Sequence, residues 1–113
     1  MAKLKATPKN FTQAREALNG RESVRLGNNT YLEDLRDLQF IGVRLHNTYI
    51  VSFHYNGQVT LHTGGYRTVT TKERINHFIV GRVYQKNHEW FYQGVREGWY
   101  IPPVEFTEGM EAA

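Results

Sequence analysis

The stretch from Leu61 to Asn76, LHTGGYRTVTTKERIN, holds residue types that could grip an anion. Two adjacent glycines let backbone N–H groups approach a ligand closely. A helix starting near Thr70 would add unpaired N–H groups and the positive end of its dipole. Arg67, Lys72 and Arg74 would add charge. The candidate anion-binding residues are therefore Gly64, Gly65, Arg67, Thr70, Thr71 and Lys72, with a nucleotide as the ligand. The pattern is not a Walker A loop, which needs Gly-Lys-Ser/Thr at the helix start, nor a dinucleotide fingerprint. A structural reading stands beside the functional one. Gly64-Gly65 would be a hairpin turn, and Thr70-x-x-Glu73 a capping box in which Glu73 opposes any anion.

A second constellation lies on the strands before it. Asn56-Gly57 is a type I′ turn signal, because both central residues of that turn need positive φ. A two-residue turn there pairs Tyr55 with Gln58, and side-chain alternation then fixes the faces. If LHNTYI also turns over an even number of residues, Ile41, Val43, Leu45, Ile50, Val59 and Leu61 share an aliphatic core face. The opposite face then carries Arg44, His46, Tyr49, Val51, Phe53, Tyr55, Thr60 and His62. Rings that stack on bases, with an Arg beside them, make a platform for single-stranded nucleic acid. The candidate nucleic-acid-binding residues are Arg44, His46, Tyr49, Phe53, Tyr55 and His62. The same rings would equally fill a face covered by a helix or by a second subunit.

Other chemistry finds little support. His46, His54 and His62 recur at hairpin spacing rather than ligand spacing, and no H-x-x-x-H or carboxylate partner accompanies them, so no metal ligand is assigned. His46, His62, Arg44 and Tyr49 could be drawn into a metal-independent ribonuclease arrangement, but nothing in their spacing selects it. No Ser/His/Asp order and no paired carboxylate stands out, so no catalytic residue and no cofactor is assigned. Glu33, Asp34 and Asp37 read as a solvated connector. Alternation puts Trp90 and Tyr92 on one face and Phe91 on the other, with Trp90 and Trp99 as core; an exposed aromatic hot spot for a host protein is the alternative.

The elements that must position these residues follow from turn signals. Residues 1–10 read as a flexible basic arm, residues 11–106 as a single α+β domain and residues 107–113 as an acidic tail. A short helix is expected over about 12–19, capped by Thr12 and stopped by Asn19-Gly20. Short strands follow, with hairpins at GNN, HNT, Asn56-Gly57 and Asn87-His88, and YRTV after the double glycine. One clear helix spans about 71–79, its apolar face made by Ile75, Phe78 and Ile79. GWYIPPVEF, broken by Pro102-Pro103, reads as an edge strand or a clamp over the core. The fold class is α+β, a mainly antiparallel hairpin-built sheet with these two helices.

A chain of 113 residues fits one domain with a modest core. It has no Cys, which excludes disulfides and Cys-based metal sites. Its N-terminus lacks the apolar run of a signal peptide, and no segment is apolar over membrane-spanning length, so an intracellular protein without membrane contact is expected. The net charge of +3 is a weak pointer to a polyanion. Basic residues cluster at the start and acidic ones at the end, which suits either solvated ends or ends that attract each other.

From Gly27 to Asn76 the motifs GNNTYLE, VRLHNTYIV and GGYRTVTTKERIN resemble a group of small tailed-bacteriophage proteins. The resemblance implies a phage-encoded protein acting in the host (bacterial) cytoplasm, and it carries over no site residue. The leading expectation is an accessory binding protein for single-stranded nucleic acid. The alternatives are an inhibitor of a host protein or defence factor, a sponge for a nucleotide signal, and a homo-oligomeric structural component.

Overall fold

A computed structural model describes residues 3–112. The chain folds as the expected α+β domain, with two α-helices and eleven strands among the described residues. Helix α1 is Phe11–Leu18. Strands β1 (Ser23–Gly27), β2 (Thr30–Leu35), β3 (Phe40–Leu45), β4 (Thr48–His54) and β5 (Val59–Leu61) follow. Helix α2 is Val69–Asn76. The C-terminal third holds β6 (Arg82–Lys86), β7 (Glu89–Gln93), β8 (Val95–Arg96), β9 (Trp99–Tyr100), β10 (Val104–Glu105) and β11 (Met110–Glu111). One sheet has the order β1-β2-β3-β4-β5-β11, a second β10-β7-β6, and β8-β9 form a small hairpin. All the pairings are antiparallel.

Local chemistry sets the helix ends. The Asn10 side chain accepts from the Gln13 N–H at 2.8 Å, so α1 starts at Phe11 rather than after Thr12. Asn19 ends it in the left-handed conformation, as expected. Thr68, not Thr70, caps α2, its hydroxyl accepting from the Thr71 N–H at 3.1 Å. Helix α2 therefore begins and ends earlier than 71–79, and the buried Phe78 and Ile79 lie beyond its last residue. The Gly64-Gly65 turn leads directly into α2. Residues 66–69 are not a strand, and the double glycine is not a hairpin.

The register of β4 corrects the expected faces. A two-residue turn, His46-Asn47, joins Leu45 to Thr48, as expected. One step later Val43 pairs with Val51 while Arg44 pairs with Tyr49, so Ile50 is an extra residue in a β-bulge. Ile50 and Val51 are consequently both buried, and Phe53 moves to the core with 0% exposure. The next turn offsets the shift. Phe53 pairs with Val59, leaving a three-residue loop, Tyr55-Asn56-Gly57, in which Gly57 alone has positive φ. The two single-residue offsets cancel, so Val59 and Leu61 face the core as expected. Val51 and Phe53, between them, are inverted. The two-residue turn with both φ values positive occurs instead at Asn87-His88.

One core joins the layers. Ala14 and Leu18 of α1, Leu32, Ile41, Val43 and Phe53 of the first sheet, Ile75 of α2, and Val83, Trp90 and Tyr92 of the second sheet belong to a single cluster. Trp90 is buried as expected, whereas Trp99 is 78% exposed. Arg74 ties α2 to the β1–β2 turn, donating to the Asn28 carbonyl and, at 2.7 Å, to the Thr30 hydroxyl. Asn76 fixes the other end through both backbone groups of Val83.

Both terminal segments are built into the domain. Leu4 packs over Gly27 and Lys5 donates its N–H to the Leu26 carbonyl, so residues 3–5 lie along β1 rather than forming a free arm. Residues 107–112, expected as a tail, supply β11 on the far edge of β5. No described helix is long and apolar enough to cross a membrane.

Candidate functional site

Three features gather the sequence candidates: the outer face of the six-stranded sheet, a cleft at its end, and a turn that binds a carboxylate. Cross-strand pairing defines the first. Arg25, Tyr31, Arg44 and Tyr49 form one row, and Phe40 lies opposite His54 on the same side. The residues of both helices and of the second sheet that join the core do so on the opposite side. The outer face is therefore not the covered side of the sheet.

Glu33, read in the sequence as part of a solvated connector, organises this face. Arg44 donates to its Oε2 from Nε and Nη2, at 3.1 and 2.9 Å, and the Tyr49 hydroxyl donates to its Oε1 at 2.6 Å. Burial pushes the Glu33 carboxyl up, but these hydrogen bonds and the Arg44 charge outweigh it and hold it below the ordinary carboxylate value. The Tyr49 hydroxyl is held above its usual value, first by its bond to Glu33 and then by burial. Arg44 lies over the Tyr31 ring at 4.7 Å, and its Nη1 donates to the His46 carbonyl. Three of its five N–H donors are used within the fold and Glu33 neutralises its charge, so it offers a held plane rather than a free phosphate clamp. Phe40 packs edge-on against Tyr49, both rings close over Gly42, and Phe40 also meets the His54 ring.

The other candidates of that list separate. Phe53 is core and leaves the face. Tyr55 lies in the loop after β4, its ring against Phe11 of α1 and its hydroxyl on Asp34 at 2.8 Å, so it braces the helix side. His62 follows β5, half-buried and beside Gly109. His46 turns the β3–β4 hairpin in the left-handed region and lines the cleft.

That cleft, of about 440 Å³, lies between the β3–β4 turn and the start of α2. Leu45 and Ile50 give it apolar contacts, both on the core side of the sheet as alternation expects. Thr70 and Thr71 line it together with His46, so residues from both candidate lists meet here. Asn47, Thr48, Thr63, Tyr66 and Thr68 complete it, and no lining side chain is a carboxylate, lysine or arginine. Thr71 is committed to the helix cap through the Thr68 hydroxyl.

The double-glycine turn does hold an anion, and the anion belongs to this chain. Glu108 accepts from the Thr63 N–H at 2.7 Å, from the Thr63 hydroxyl and from the Gly64 N–H. Burial raises this carboxyl, but those bonds and the Arg67 charge bring it below its ordinary value. Positive φ at Gly64 and Gly65 shapes the turn, and a Cβ on Gly64 would strike Thr48. Arg67 reaches over the Trp90 and Phe106 rings, and Lys72 approaches Trp90, so neither cation lines the cleft. The six anion candidates thus do not form one site.

Sequence reasoning missed Tyr31, Phe40 and His54 on the outer face, and Asn47, Thr48 and Tyr66 at the cleft. Alternation through TYLED, from Leu32 as a core residue, would have placed Tyr31 and Glu33 outward.

An antiparallel α+β domain of this size, matched over nearly its whole length by a phage protein model, is a small phage-encoded protein. It belongs to the Kyanoviridae Gp96 protein family, whose model matches residues 7–113. The phage origin implied by the sequence resemblance therefore stands. No curated protein and no solved structure matches the chain.

Proposed function

We propose that this protein is a phage accessory factor that holds single-stranded nucleic acid across the outer face of its six-stranded sheet, in the host cytoplasm. The observation that carries the reading is the row of Tyr31, Arg44 and Tyr49, continued by Phe40 and His54, on the side of the sheet away from the core. Bases stack on aromatic faces and on guanidinium planes, and Arg44 is held over Tyr31, its Cζ 4.7 Å from the ring centroid. With Arg44 bound to Glu33, phosphate contacts fall to Lys3, Lys5 and Arg25, all exposed along the β1 side.

Fluorescence anisotropy with a labelled single-stranded oligonucleotide, titrated with salt, tests this. Affinity should fall linearly on logarithmic axes, with a slope of about −0.7 per phosphate contact. Tyr31→Ala should cost about 1–3 kcal/mol, the usual range for one stacked base. Arg25→Ala should make the slope shallower. Absence of binding at low salt, or binding indifferent to salt, sinks the reading.

Trp99 favours a second reading, capture of a host protein. Trp99 is 78% exposed, and the Arg82 guanidinium is held between the Tyr84 and Tyr100 rings at 5.0 and 4.7 Å. The exposed Trp99 ring, next in the chain to Tyr100 of this aromatic–cation group, has the character of an interface hot spot. On this reading one host polypeptide is captured at high salt, and Trp99→Ala abolishes the capture.

A further inference from the structure

We infer that the cleft between the β3–β4 turn and α2 is a pocket for one nucleobase, an adenine in preference to a pyrimidine, splayed from a strand lying on the adjacent sheet face. The inference rests on the nucleic-acid reading above. At about 440 Å³ the cleft falls within the range of small-ligand pockets. Its lining has no carboxylate, lysine or arginine, which suits an uncharged ring rather than a phosphate.

The lining has the parts that base recognition needs. Leu45 and Ile50 supply apolar contact, and Tyr66, 68% exposed, supplies a ring to stack on. The Asn47 amide offers a donor and an acceptor side by side, the pair that reads the N6/N7 edge of adenine. Thr48 and Thr70 add hydroxyls that serve as either donor or acceptor. Among the described residues, none of the side-chain polar groups of Asn47, Thr48, Tyr66 and Thr70 is engaged by another group of the chain. Thr63 and Thr71, by contrast, are committed to Glu108 and to the α2 cap. The platform also reaches the cleft directly, because Arg44 Nη1 donates to the carbonyl of His46 at its rim, 2.6 Å away.

The test combines two measurements on the full chain. Anisotropy compares oligo-dA with oligo-dC for wild type, Asn47→Ala, Tyr66→Ala and Tyr31→Ala. Amide NMR follows the Asn47 side chain and Thr70 during titration with free adenosine, with cytidine and with a neutral disaccharide. Expected are a dA preference of about tenfold, lost in Asn47→Ala and Tyr66→Ala, and adenosine-specific shifts at Asn47 and Thr70. Equal affinity for dA and dC, with both cleft variants at wild-type affinity, overturns the pocket. If Tyr31→Ala still weakens binding, the platform survives that result. Adenosine shifts without oligonucleotide binding keep the pocket and remove the platform. Shifts from the disaccharide but not from adenosine overturn the pocket as a base site and make it a carbohydrate site.

Discussion

Glu33 determines what Arg44 can do. Taken alone, Arg44 on an aromatic face suggests a phosphate clamp. With Glu33 opposite, its guanidinium is neutralised, oriented and laid over Tyr31. The arrangement has a pH signature. The folded-state pKa of Glu33 lies below its ordinary value, so its contribution to stability is fully present above the unfolded value of about 4.3 and is lost as pH falls through the folded one. Urea midpoints measured from pH 6 down to pH 3 should therefore drop less steeply for Glu33→Gln than for wild type. The residual slope belongs to groups such as Glu108, whose carboxyl is shifted the same way. An unchanged slope in Glu33→Gln would show that the cluster is not coupled to folding. Turn register and alternation named Arg44 and Tyr49 for this face. They did not reveal Glu33 as their partner, because that depends on β2 lying beside β3.

At the scale of elements, the helix caps separate what the sequence shows from what it hides. A Thr-x-x-Glu pattern at Thr70 is a sound local signal, yet the structure starts α2 two residues earlier with Thr68. Thr68→Ala should destabilise the fold by about 1 kcal/mol, and Thr70→Ala should leave the thermal midpoint almost unchanged. Equal effects would contradict the observed cap. The strands teach the same lesson. The strands β1 to β7, and the hairpins joining β1–β2, β3–β4, β4–β5 and β6–β7, were legible from turn residues and alternation, whereas YRTV is not a strand and β11 was expected as a tail. The bulge at Ile50 and the three-residue loop at Tyr55–Gly57 were not, because each is decided by packing across the sheet and against α1. One extra residue moved Val51 and Phe53 from a supposed binding surface into the core. Trp99 failed for the opposite reason. A large ring suggests burial, but β8-β9 is a two-residue-per-strand hairpin that leaves it in solvent.

At the scale of the molecule, residues 107–112 behave as structure rather than as a tail. Glu108 closes the Thr63–Gly64 turn, and Met110 and Glu111 pair with β5. Composition alone could not show this, because Glu108 and Glu111 in a short segment look the same whether solvated or bound. Glu108→Gln should cost about 1 kcal/mol, since hydrogen bonds to a charged acceptor become bonds to a neutral one. Truncation after Phe106 should cost more, because it also removes the β11 ladder. A melting temperature equal to wild type for the truncated chain would show that the segment adds nothing to the fold.

The placement of the two ends also restricts how another chain can engage the large sheet. Many partners bind by strand addition, their extended backbone joining an unpaired edge almost regardless of side chains. At β5 that edge is taken: Leu61 accepts from the Gly109 N–H at 2.7 Å and Val59 from the Ala112 N–H at 2.8 Å. At β1 the Leu26 carbonyl is already used by Lys5. Strand addition is left only the two-residue edge of β11 and the part of β1 beyond Leu26, so what docks on the broad outer face recognises rings, amides and charges, and its own sequence matters more than its readiness to be extended.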